Sequence, residues 1–410
     1  MAATRLLEGR LLVIRKTLVC GAIAVALAFI ALAGPARAAD EPYKINVILP
    51  LTGQASFLGK EEQVALQIAE KVINKSGGIQ GRPVQFVFFD DTSSPQTGVQ
   101  LVKQVMAENP AVVLGSSLVA ICNAMAPLVT NGPVHYCFSP GVHPAAGSYS
   151  FSASVSTHDL QKALFRYFRE QGWKRIAIMT SSDATGQDAE RGIEENIGLP
   201  EYKDAGMVIV ERAHFNTTDV SVAAQIEKVK AAKPDAFVAW STGTPIATVF
   251  KGIVQAGLDV PTATTDGNMT YAQMERYAEF LPKQLYIPAA QWPAYGVPIK
   301  MDPAVAKAQE EFYAEFKAAG VKPDIASSLA WMPAMIVTEA LRKLGTKATA
   351  AELREYISKI QGMPSIDGTF DFVKVPQRGL DDSNAVVTRW DPGKGTWVVL
   401  SQAGGMPIAK

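Results

Sequence analysis

The chain has 410 residues, a length that suits two domains of ordinary size. Its 39 basic and 39 acidic residues give a formal net charge of zero, which argues against a nucleic-acid partner because such partners normally leave a basic footprint on a protein. Four histidines and three cysteines are scattered without CxxC or HExxH spacing, so we expect neither a metal centre nor a cofactor.

Residues 1–38 have the pattern of a signal peptide. Basic residues precede an uncharged, mostly apolar run at 17–34, and an Ala-Arg-Ala tripeptide ending at Ala38 supplies the small-x-small site that signal peptidase needs. A retained membrane anchor is the alternative, because the run is close to the roughly 20 residues that span a bilayer. The tripeptide favours cleavage, and Cys20 lacks the small preceding residue of a lipoprotein site. We therefore expect an unlipidated mature chain that starts at Ala39 and lies in the periplasm.

The first elements are predicted to be a strand, a loop, a helix and a second strand. Residues 45–51 are almost continuously apolar, as in a strand buried on both faces, and a short polar loop follows them. This loop is predicted to expose Phe57 and Leu58, which makes them ligand candidates. A helix with one apolar face then runs to the glycines at 77–78. The strand at 84–89 completes a βαβ unit, in which a ligand is expected at the carboxyl end of the first strand.

Short motifs in this opening stretch carry a family resemblance. They are Leu-Pro-Leu-Thr-Gly at 49–53, Ile-Asn at 73–74, Gly-Gly-Ile at 77–79 and Gly-Arg at 81–82. In this order they resemble the start of the leucine/isoleucine/valine-binding protein family, which comprises type I periplasmic solute-binding proteins that serve ABC importers. The resemblance implies two α/β lobes joined by a hinge of three chain crossings.

The alternation of strands and helices continues after this unit and restarts at Arg175. Two such series predict an α/β fold with two doubly wound parallel-sheet lobes. By the family resemblance, residues 39–155 and 291–380 form the first lobe, and residues 156–290 and 381–410 form the second. Three crossings make a hinge, because a few residues can absorb a rotation while each lobe stays rigid.

Loops after the first-lobe strands contain several candidate ligand residues. Ser116 and Ser117 precede a predicted helix whose start suits a carboxylate, although simple N-capping by serine is the alternative. The resemblance implies hydroxyl residues at 120–122 and 142–143, where this chain has Ala-Ile-Cys and Val-His. An apolar wall with one imidazole suits an organic acid with a hydrophobic or aromatic body at least as well as an amino acid. An exposed loop histidine is the alternative for His143.

Loops of the second lobe supply the remaining candidates. Asp266 aligns roughly with the acidic residue that binds the ligand's ammonium group in the family, although an ordinary Asp-Gly turn is the alternative. Thr185 aligns with a position that is often aromatic in amino-acid binders. Trp240 ends a predicted strand, where it is either a core residue or a ligand-stacking face. Across both lobes, the predicted ligand-binding residues are Phe57, Leu58, Ser116, Ser117, Ala120, Ile121, Cys122, Gly141, Val142, His143, Thr185, Trp240 and Asp266.

Cys122 and Cys137 are the cysteines that remain after the predicted cleavage. Export makes them candidates for a disulfide. The alternative is two buried thiols, one on a helix and one in the following strand. We slightly favour the thiols, because the sequence alone does not bring the two Cα atoms within the required distance of about 4.4–6.8 Å.

The predicted function is the capture of a small carboxylate ligand for an ABC importer. The resemblance implies that the ligand bridges both lobes and stabilises a closed form, which then docks on a membrane permease. The side chains at 120–122 and 142–143 favour an aromatic or hydrophobic organic acid over a branched-chain amino acid. We expect no enzymatic activity, because no GxSxG, P-loop or GxGxxG motif lies at a strand–helix junction. We also expect a monomer. The alternative function is the ligand-sensing domain of a membrane receptor or chemotaxis pathway.

Overall fold

The computed structural model describes residues 41–409. The predicted signal peptide, with its cleavage site after Ala38, lies outside the described residues. From Pro42 onward the chain forms one compact unit. Within residues 41–409, no helix is both long and apolar enough to cross a membrane.

The strands form two large sheets and one short hairpin. Their bounds are β1 (Tyr43–Leu49), β2 (Val84–Asp90), β3 (Val112–Gly115), β4 (Val134–Cys137), β5 (Ser150–Ser152), β6 (Arg175–Ser181), β7 (Val208–Phe215), β8 (Ala236–Trp240), β9 (Thr262–Ala263), β10 (Leu285–Ala290), β11 (Met363–Ser365), β12 (Gly368–Phe370), β13 (Ala385–Asp391) and β14 (Thr396–Val399). The first sheet is parallel and has the order β2-β1-β3-β4-β5. The second sheet has the order β14-β13-β10-β9-β8-β6-β7, and β11 pairs with β12 alone.

The helices lie between the strands in the first two thirds of the chain and dominate from residue 303 to 358. Their bounds are α1 (Ser56–Lys75), α2 (Pro95–Met106), α3 (Val119–Met125), α4 (Thr157–Glu170), α5 (Ala184–Ile197), α6 (Pro200–Lys203), α7 (Ala223–Ala231), α8 (Ile246–Gln255), α9 (Tyr271–Arg276), α10 (Pro303–Ala318), α11 (Ile325–Leu344) and α12 (Ala350–Ser358). Short 3₁₀ turns lie at Ala126–Val129, Asp266–Asn268, Ala278–Phe280, Trp292–Ala294 and Asp382–Asn384.

Strand β1 lies inside the first sheet because its side chains are apolar on both faces. Val47 faces the core that includes α1 and α11, whereas Ile48 faces the core formed with α2 and α3. Both side chains are fully buried. Hydrogen bonding to β2 on one side and β3 on the other satisfies the backbone of the strand. The carboxyl end of β1 is therefore held in place by a neighbouring strand on each side.

The later part of the chain returns to both sheets. Helix α11 packs against α1, whereas β13 pairs with β10 of the second sheet. The predicted architecture of α/β elements around two sheets is confirmed. The exact chain bounds of the two lobes stay a prediction.

Two details of the predicted fold are wrong. Helix α1 begins at Ser56, so Phe57 and Leu58 lie on a helix, where Phe57 is half-buried and Leu58 is buried in the core. The second sheet is mixed rather than parallel, because β13 pairs antiparallel with β10 and β14 pairs antiparallel with β13, to which a short turn joins it. The β11–β12 hairpin is an additional element that the sequence pattern did not indicate.

Cys122 and Cys137 form a disulfide, so the prediction of two buried thiols is wrong. Their Cα atoms are 6.1 Å apart, within the range that a disulfide needs. The reason is the strand order. Strand β3 pairs with β4, and α3 follows β3 directly, so Cys122 on α3 comes close to Cys137 at the end of β4.

Candidate functional site

Loops and helix starts at the ends of strands in both sheets enclose a small cavity. Its volume is about 20 Å³, enough for about one water molecule. The carboxyl ends of parallel strands are where ligands bind in open α/β sheets. The cavity is lined by Leu58, Ser117, Val119, Ser139, Pro140, Gly141, Thr157, Thr185, Trp240, Thr242, Thr265, Asp266, Gly267 and Leu329.

The structure brings together at this cavity some of the residues that were predicted to bind the ligand. Thr185 lies at the start of α5, which is held by a hydrogen bond from the Gly186 backbone N–H to Asp183 Oδ1 at 3.1 Å. Trp240 is the last residue of β8 and belongs to the buried core as well as to the cavity wall; its predicted stacking on a ligand stays a prediction. The predicted residues at the cavity are Leu58, Ser117, Gly141, Thr185, Trp240 and Asp266.

Three predicted residues near the first sheet lie outside the cavity lining. Phe57 packs edge-to-face on Tyr277, with ring centroids 6.0 Å apart. Ala120 is half-buried on α3. Ile121 is fully buried on the opposite side of α3, where it packs against Gly98 of α2. Phe57 was predicted to lie in an exposed loop, and Ala120 and Ile121 were chosen by the family resemblance. Neither argument shows which face of a helix turns to the core.

The remaining predicted residues have structural partners of their own. Cys122 is consumed by the disulfide, and Val142 is buried in a small cluster beside it. Ser116 donates a hydrogen bond to Asp91 Oδ2 at 2.5 Å. His143 is hydrogen-bonded through Nε2 to Asp188 Oδ1 at 2.9 Å. None of these four side chains lines the cavity described within residues 41–409.

The alternative of N-capping of α3 by the serine pair is wrong, whereas their contact with a ligand carboxylate stays a prediction. Helix α3 is seven residues long, and its N-cap is Leu118, which makes no side-chain cap. Ser117 instead donates a hydrogen bond to Glu62 of α1. Burial raises the pKa of Glu62 to about 8, although the hydrogen bond from Ser117 opposes the rise. Ser117 therefore joins the cavity wall to a buried carboxyl group rather than capping a helix.

Asp266 is the acidic residue of the cavity lining, and its side chain is buried. Its Oδ1 accepts hydrogen bonds from Thr265 Oγ1 at 3.0 Å and from the Gly267 backbone N–H at 2.9 Å. Its Oδ2 is buried and has no hydrogen-bond partner among the described residues. Burial raises the pKa of Asp266 to about 6, and the two hydrogen bonds to Oδ1 oppose this rise. At neutral pH the cavity thus contains a carboxylate oxygen with unused acceptor capacity.

Asn268 holds the two second-sheet loops of the cavity together. Its Nδ2 donates to the Ser241 carbonyl at 2.7 Å and to Thr264 Oγ1 at 3.0 Å. Its Oδ1 accepts from the Gly243 backbone N–H at 3.0 Å. These bonds fix the loop after β8 against the loop after β9, so Thr242 and Asp266 keep a constant relative position.

Loops from the two sheets touch directly beside the cavity. The Gln54 carbonyl, in the loop after β1, accepts a hydrogen bond from the Thr244 backbone N–H at 3.0 Å. Gly243 has a φ of 86°, and a Cβ at this position would lie 2.5 Å from the Gln54 carbonyl oxygen, so this close approach requires glycine. These contacts hold the loop after β1 against the loop after β8.

Arg378 holds the loop after β4 in place through hydrogen bonds. It is buried, and its Nη1 donates to the carbonyls of Ala153 and Ser154 at 3.1 and 3.2 Å. Its Nη2 donates to the carbonyls of Pro140 and Val142 at 3.0 and 2.5 Å. Because Pro140 and Gly141 line the cavity, Arg378 shapes the site without touching it.

Sequence reasoning missed part of the lining. Ser139, Thr157 and Leu329 line the cavity but were not among the predicted ligand-binding residues. Thr157 is the first residue of α4, whose cap Ser156 accepts a hydrogen bond from the Asp159 backbone N–H at 3.0 Å. That capping pattern was a usable signal for a residue at the chain crossing. Leu329 lies in a helix that is buried almost throughout, so no local feature distinguished it.

A second, wider cavity of about 750 Å³ lies between α9, the segment before α11 and the β13–β14 turn. Its lining includes Tyr271 and Trp390, and the Lys322 ammonium lies 3.9 Å from the centroid of the Tyr271 ring. This cavity does not involve the loops after β3 and β4. The smaller cavity is the candidate ligand site, because strand ends of both sheets converge there.

A family model described as periplasmic binding protein matches residues 42–395. The chain belongs to this family. The family consists of solute-binding proteins and is not an enzyme family, and the predicted relationship to the leucine/isoleucine/valine-binding proteins is confirmed.

Two curated relatives are named for that group. Leu/Ile/Val-binding protein homolog 3 of Brucella melitensis is 38% identical over 89 residues, which are 22% of this chain and 24% of the relative. Leu/Ile/Val-binding protein homolog 4 of Brucella abortus is 22% identical over 256 residues, which are 59% of this chain and 60% of the relative. The chain thus matches less than two thirds of the length of either relative.

Solved structures share the fold over almost the whole described chain. The LivJ substrate-binding protein of Streptococcus pneumoniae, in complex with isoleucine, has a TM-score of 0.71 at 17% identity and covers 88% of this chain and 100% of its own. An ABC-transporter solute-binding protein of R. palustris, in complex with benzoate, has a TM-score of 0.70 at 18% identity and covers 90% and 98%. At these identities the likeness establishes the fold.

Proposed function

We propose that this chain is the substrate-binding protein of an ABC importer and that it binds an apolar amino acid in the cavity between its two sheets. The observation that supports the amino acid is Asp266, whose buried Oδ2 lacks a hydrogen-bond partner in the part of the chain that the structure describes. A buried carboxylate oxygen without a partner is costly, and a ligand ammonium group removes that cost. An organic acid would instead bring a second negative charge close to Asp266.

The rest of the lining suits the other parts of an amino acid. Hydroxyl side chains can donate hydrogen bonds to a ligand carboxylate, and they come from both sheets: Ser139, Thr157, Thr185, Thr242 and Thr265. Apolar side chains can contact a hydrophobic ligand body: Leu58, Val119, Trp240 and Leu329. The preference for an organic acid rested on residues 120–122 and 142–143, whose side chains do not line the cavity. These side chains therefore do not bear on the choice of ligand.

The two liganded neighbours mark the two ligand classes. One was solved with isoleucine, which carries an ammonium group, and the other with benzoate, which does not. Isothermal titration calorimetry of the wild-type chain should therefore compare leucine, isoleucine and phenylalanine with their 2-oxo acids and with benzoate. We expect saturable binding of at least one amino acid and weaker binding of its 2-oxo acid, because only the amino acid pairs with Asp266.

Asp266→Asn tests the assigned contact. Losing one partner of a buried charge pair costs roughly 2–5 kcal/mol, so we expect amino-acid affinity to fall by at least about tenfold. The affinity for the 2-oxo acid should change little or rise. Wild-type affinity should also fall as the pH decreases below the pKa of Asp266, about 6, because the neutral carboxyl group no longer attracts the ammonium. Asp204→Asn, at an exposed position, is the matched control. A 2-oxo acid or benzoate that binds more tightly than every amino acid, with no response to Asp266→Asn, would exclude the amino-acid assignment.

Export and transport complete the proposal. The family consists of periplasmic binding proteins, and the predicted cleavage after Ala38 would release the mature chain, starting at Ala39, into the periplasm. There a monomer in its closed form would deliver the ligand to the membrane permease. N-terminal sequencing of periplasmic material should start at Ala39, and a start at Met1 or Cys20 would refute the cleavage.

A further inference from the structure

Two histidines and an aspartate meet at the outer edge of the contact between the two sheets. His143 follows β4 of the first sheet, whereas His158 is on α4 and Asp188 is on α5, which flank β6 of the second sheet. Their ligand atoms all lie within 4.8 Å of one another. We propose that His143, His158 and Asp188 form a binding site for a divalent transition-metal ion, separate from the amino-acid cavity.

The spacing of the three side chains fits a tetrahedral ion. Asp188 Oδ1 lies 2.9 Å from His143 Nε2 and 3.2 Å from His158 Nε2. Ligands about 2.0 Å from a tetrahedrally coordinated zinc ion are about 3.3 Å from each other. The two imidazoles are also adjacent, with ring centroids 4.3 Å apart. Small side-chain movements would therefore place an ion at equal distances from the two nitrogens and the carboxylate.

The surroundings orient two of the three ligands. His158 Nδ1 is hydrogen-bonded to Glu195 Oε2 at 2.9 Å, which leaves Nε2 toward Asp188. A second carboxylate on the far nitrogen of a histidine is the usual support of a metal-binding imidazole. The Asp188 side chain is fully buried, so its direction is fixed by packing. His143 has a side chain that is 39% exposed and leaves the site open to solvent, where water can supply a fourth ligand.

Asp188 has one carboxylate oxygen that its present partners do not contact. Its Oδ2 is buried without a hydrogen-bond partner within residues 41–409. This oxygen lies close to the chain after β4, because a Cβ at Gly141 would be 3.1 Å from it. One carboxylate oxygen of Asp188 is thus unused by the side chains around it.

Arg191 is the competitor that an ion must displace. Its Nη2 lies 3.1 Å from Asp188 Oδ1, one helical turn along α5. The arginine side chain is 61% exposed, so it can turn into solvent at little cost. Imidazole and carboxylate together suit zinc, nickel and copper ions rather than magnesium or calcium, which prefer oxygen ligands.

A bound ion would connect elements of both sheets. An effect of the ion on cleft closure would rest on the proposed function, whereas ion binding itself is independent of that function.

The test is a titration of the untagged full chain with Zn²⁺ alone, without amino acid, at pH 7.5. Calorimetry should show one Zn²⁺ ion per chain, and Co²⁺ should give the visible absorption of a tetrahedral nitrogen and oxygen site. His143→Ala and His158→Ala should each abolish saturable binding. Glu195→Gln should weaken it about 10–100-fold, because it removes the support of His158. His214→Ala is the matched control, since His214 pairs with Glu190 elsewhere on the surface.

Arg191→Gln provides a test that does not disturb folding, because this side chain is exposed. It should tighten Zn²⁺ binding by removing the competing cation. The proposal is overturned if the wild-type chain shows no saturable Zn²⁺ binding. It is also overturned if His143→Ala and His158→Ala bind the ion as the wild type does. Because the titration contains no amino acid, its failure would leave the proposed transport function untouched.

Discussion

Arg378 shows at the scale of one residue how a buried charge can organise a binding site that it does not touch. Burial lowers the pKa of Arg378 to about 10, whereas the charges of Asp159, Asp188 and Asp266 oppose this shift, so the side chain stays ionised at neutral pH. Its four hydrogen bonds all go to backbone carbonyls. These carbonyls belong to the loop after β4 and to the segment after β5, which leads to the second sheet.

Replacing Arg378 with methionine should destabilise the protein strongly. The change removes the four hydrogen bonds that Arg378 donates to backbone carbonyls. It also removes the positive charge that balances the buried acids. Breaking a buried ionic network of this kind costs about 3–5 kcal/mol, which urea denaturation should detect as a lower free energy of unfolding. Arg354→Met is the matched control, because Arg354 lies at the surface over the Tyr149 ring and should cost at most about 1 kcal/mol. Equal effects of the two substitutions would contradict the role given to Arg378.

At the scale of elements, the Cys122–Cys137 disulfide ties α3 to β4 on the first-sheet side of the cavity. The two cysteines are 15 residues apart in sequence, and closing a loop of this length restricts the unfolded chain. Such a disulfide contributes about 3 kcal/mol to stability. The double variant Cys122→Ala/Cys137→Ala should therefore unfold at a lower urea concentration than the wild type. A reducing agent should lower the wild-type midpoint but leave that of the double variant unchanged. A wild type that does not respond to reduction would argue against the bond.

Elements with a strong local signal were predictable from the sequence, and contacts between distant elements were not. Strand β8 is a continuous apolar run, and it ends at Trp240 as predicted. The positions of Phe57 and Ile121 were not predictable in the same way, because the side of a helix that meets the core depends on the elements that pack against it. The disulfide depends on the pairing of β3 with β4. Asp188 gained its histidines only through folding, since it lies 45 residues from His143.

For the whole molecule, the site consists of two sets of strand-end loops that meet. The cavity between them has a volume of about 20 Å³, far below the roughly 300 Å³ at which ordinary ligand pockets begin. Under the proposed function, ligand exchange requires the two sets of loops to separate, and a ligand that contacts both sets favours their approach. The hydrogen bond between Gln54 and Thr244 is one contact that opening must break. It is backbone-to-backbone and at the edge of the site, so it can re-form without side-chain rearrangement.

The most direct test of this account is small-angle X-ray scattering of the wild-type chain, with and without an amino acid that calorimetry has shown to bind. We predict a smaller radius of gyration at saturation, because the ligand holds the two sheets together. The Asp266→Asn variant should reach the same compact form only at a higher ligand concentration. A radius of gyration that stays the same or increases at proven saturation would contradict capture by closure.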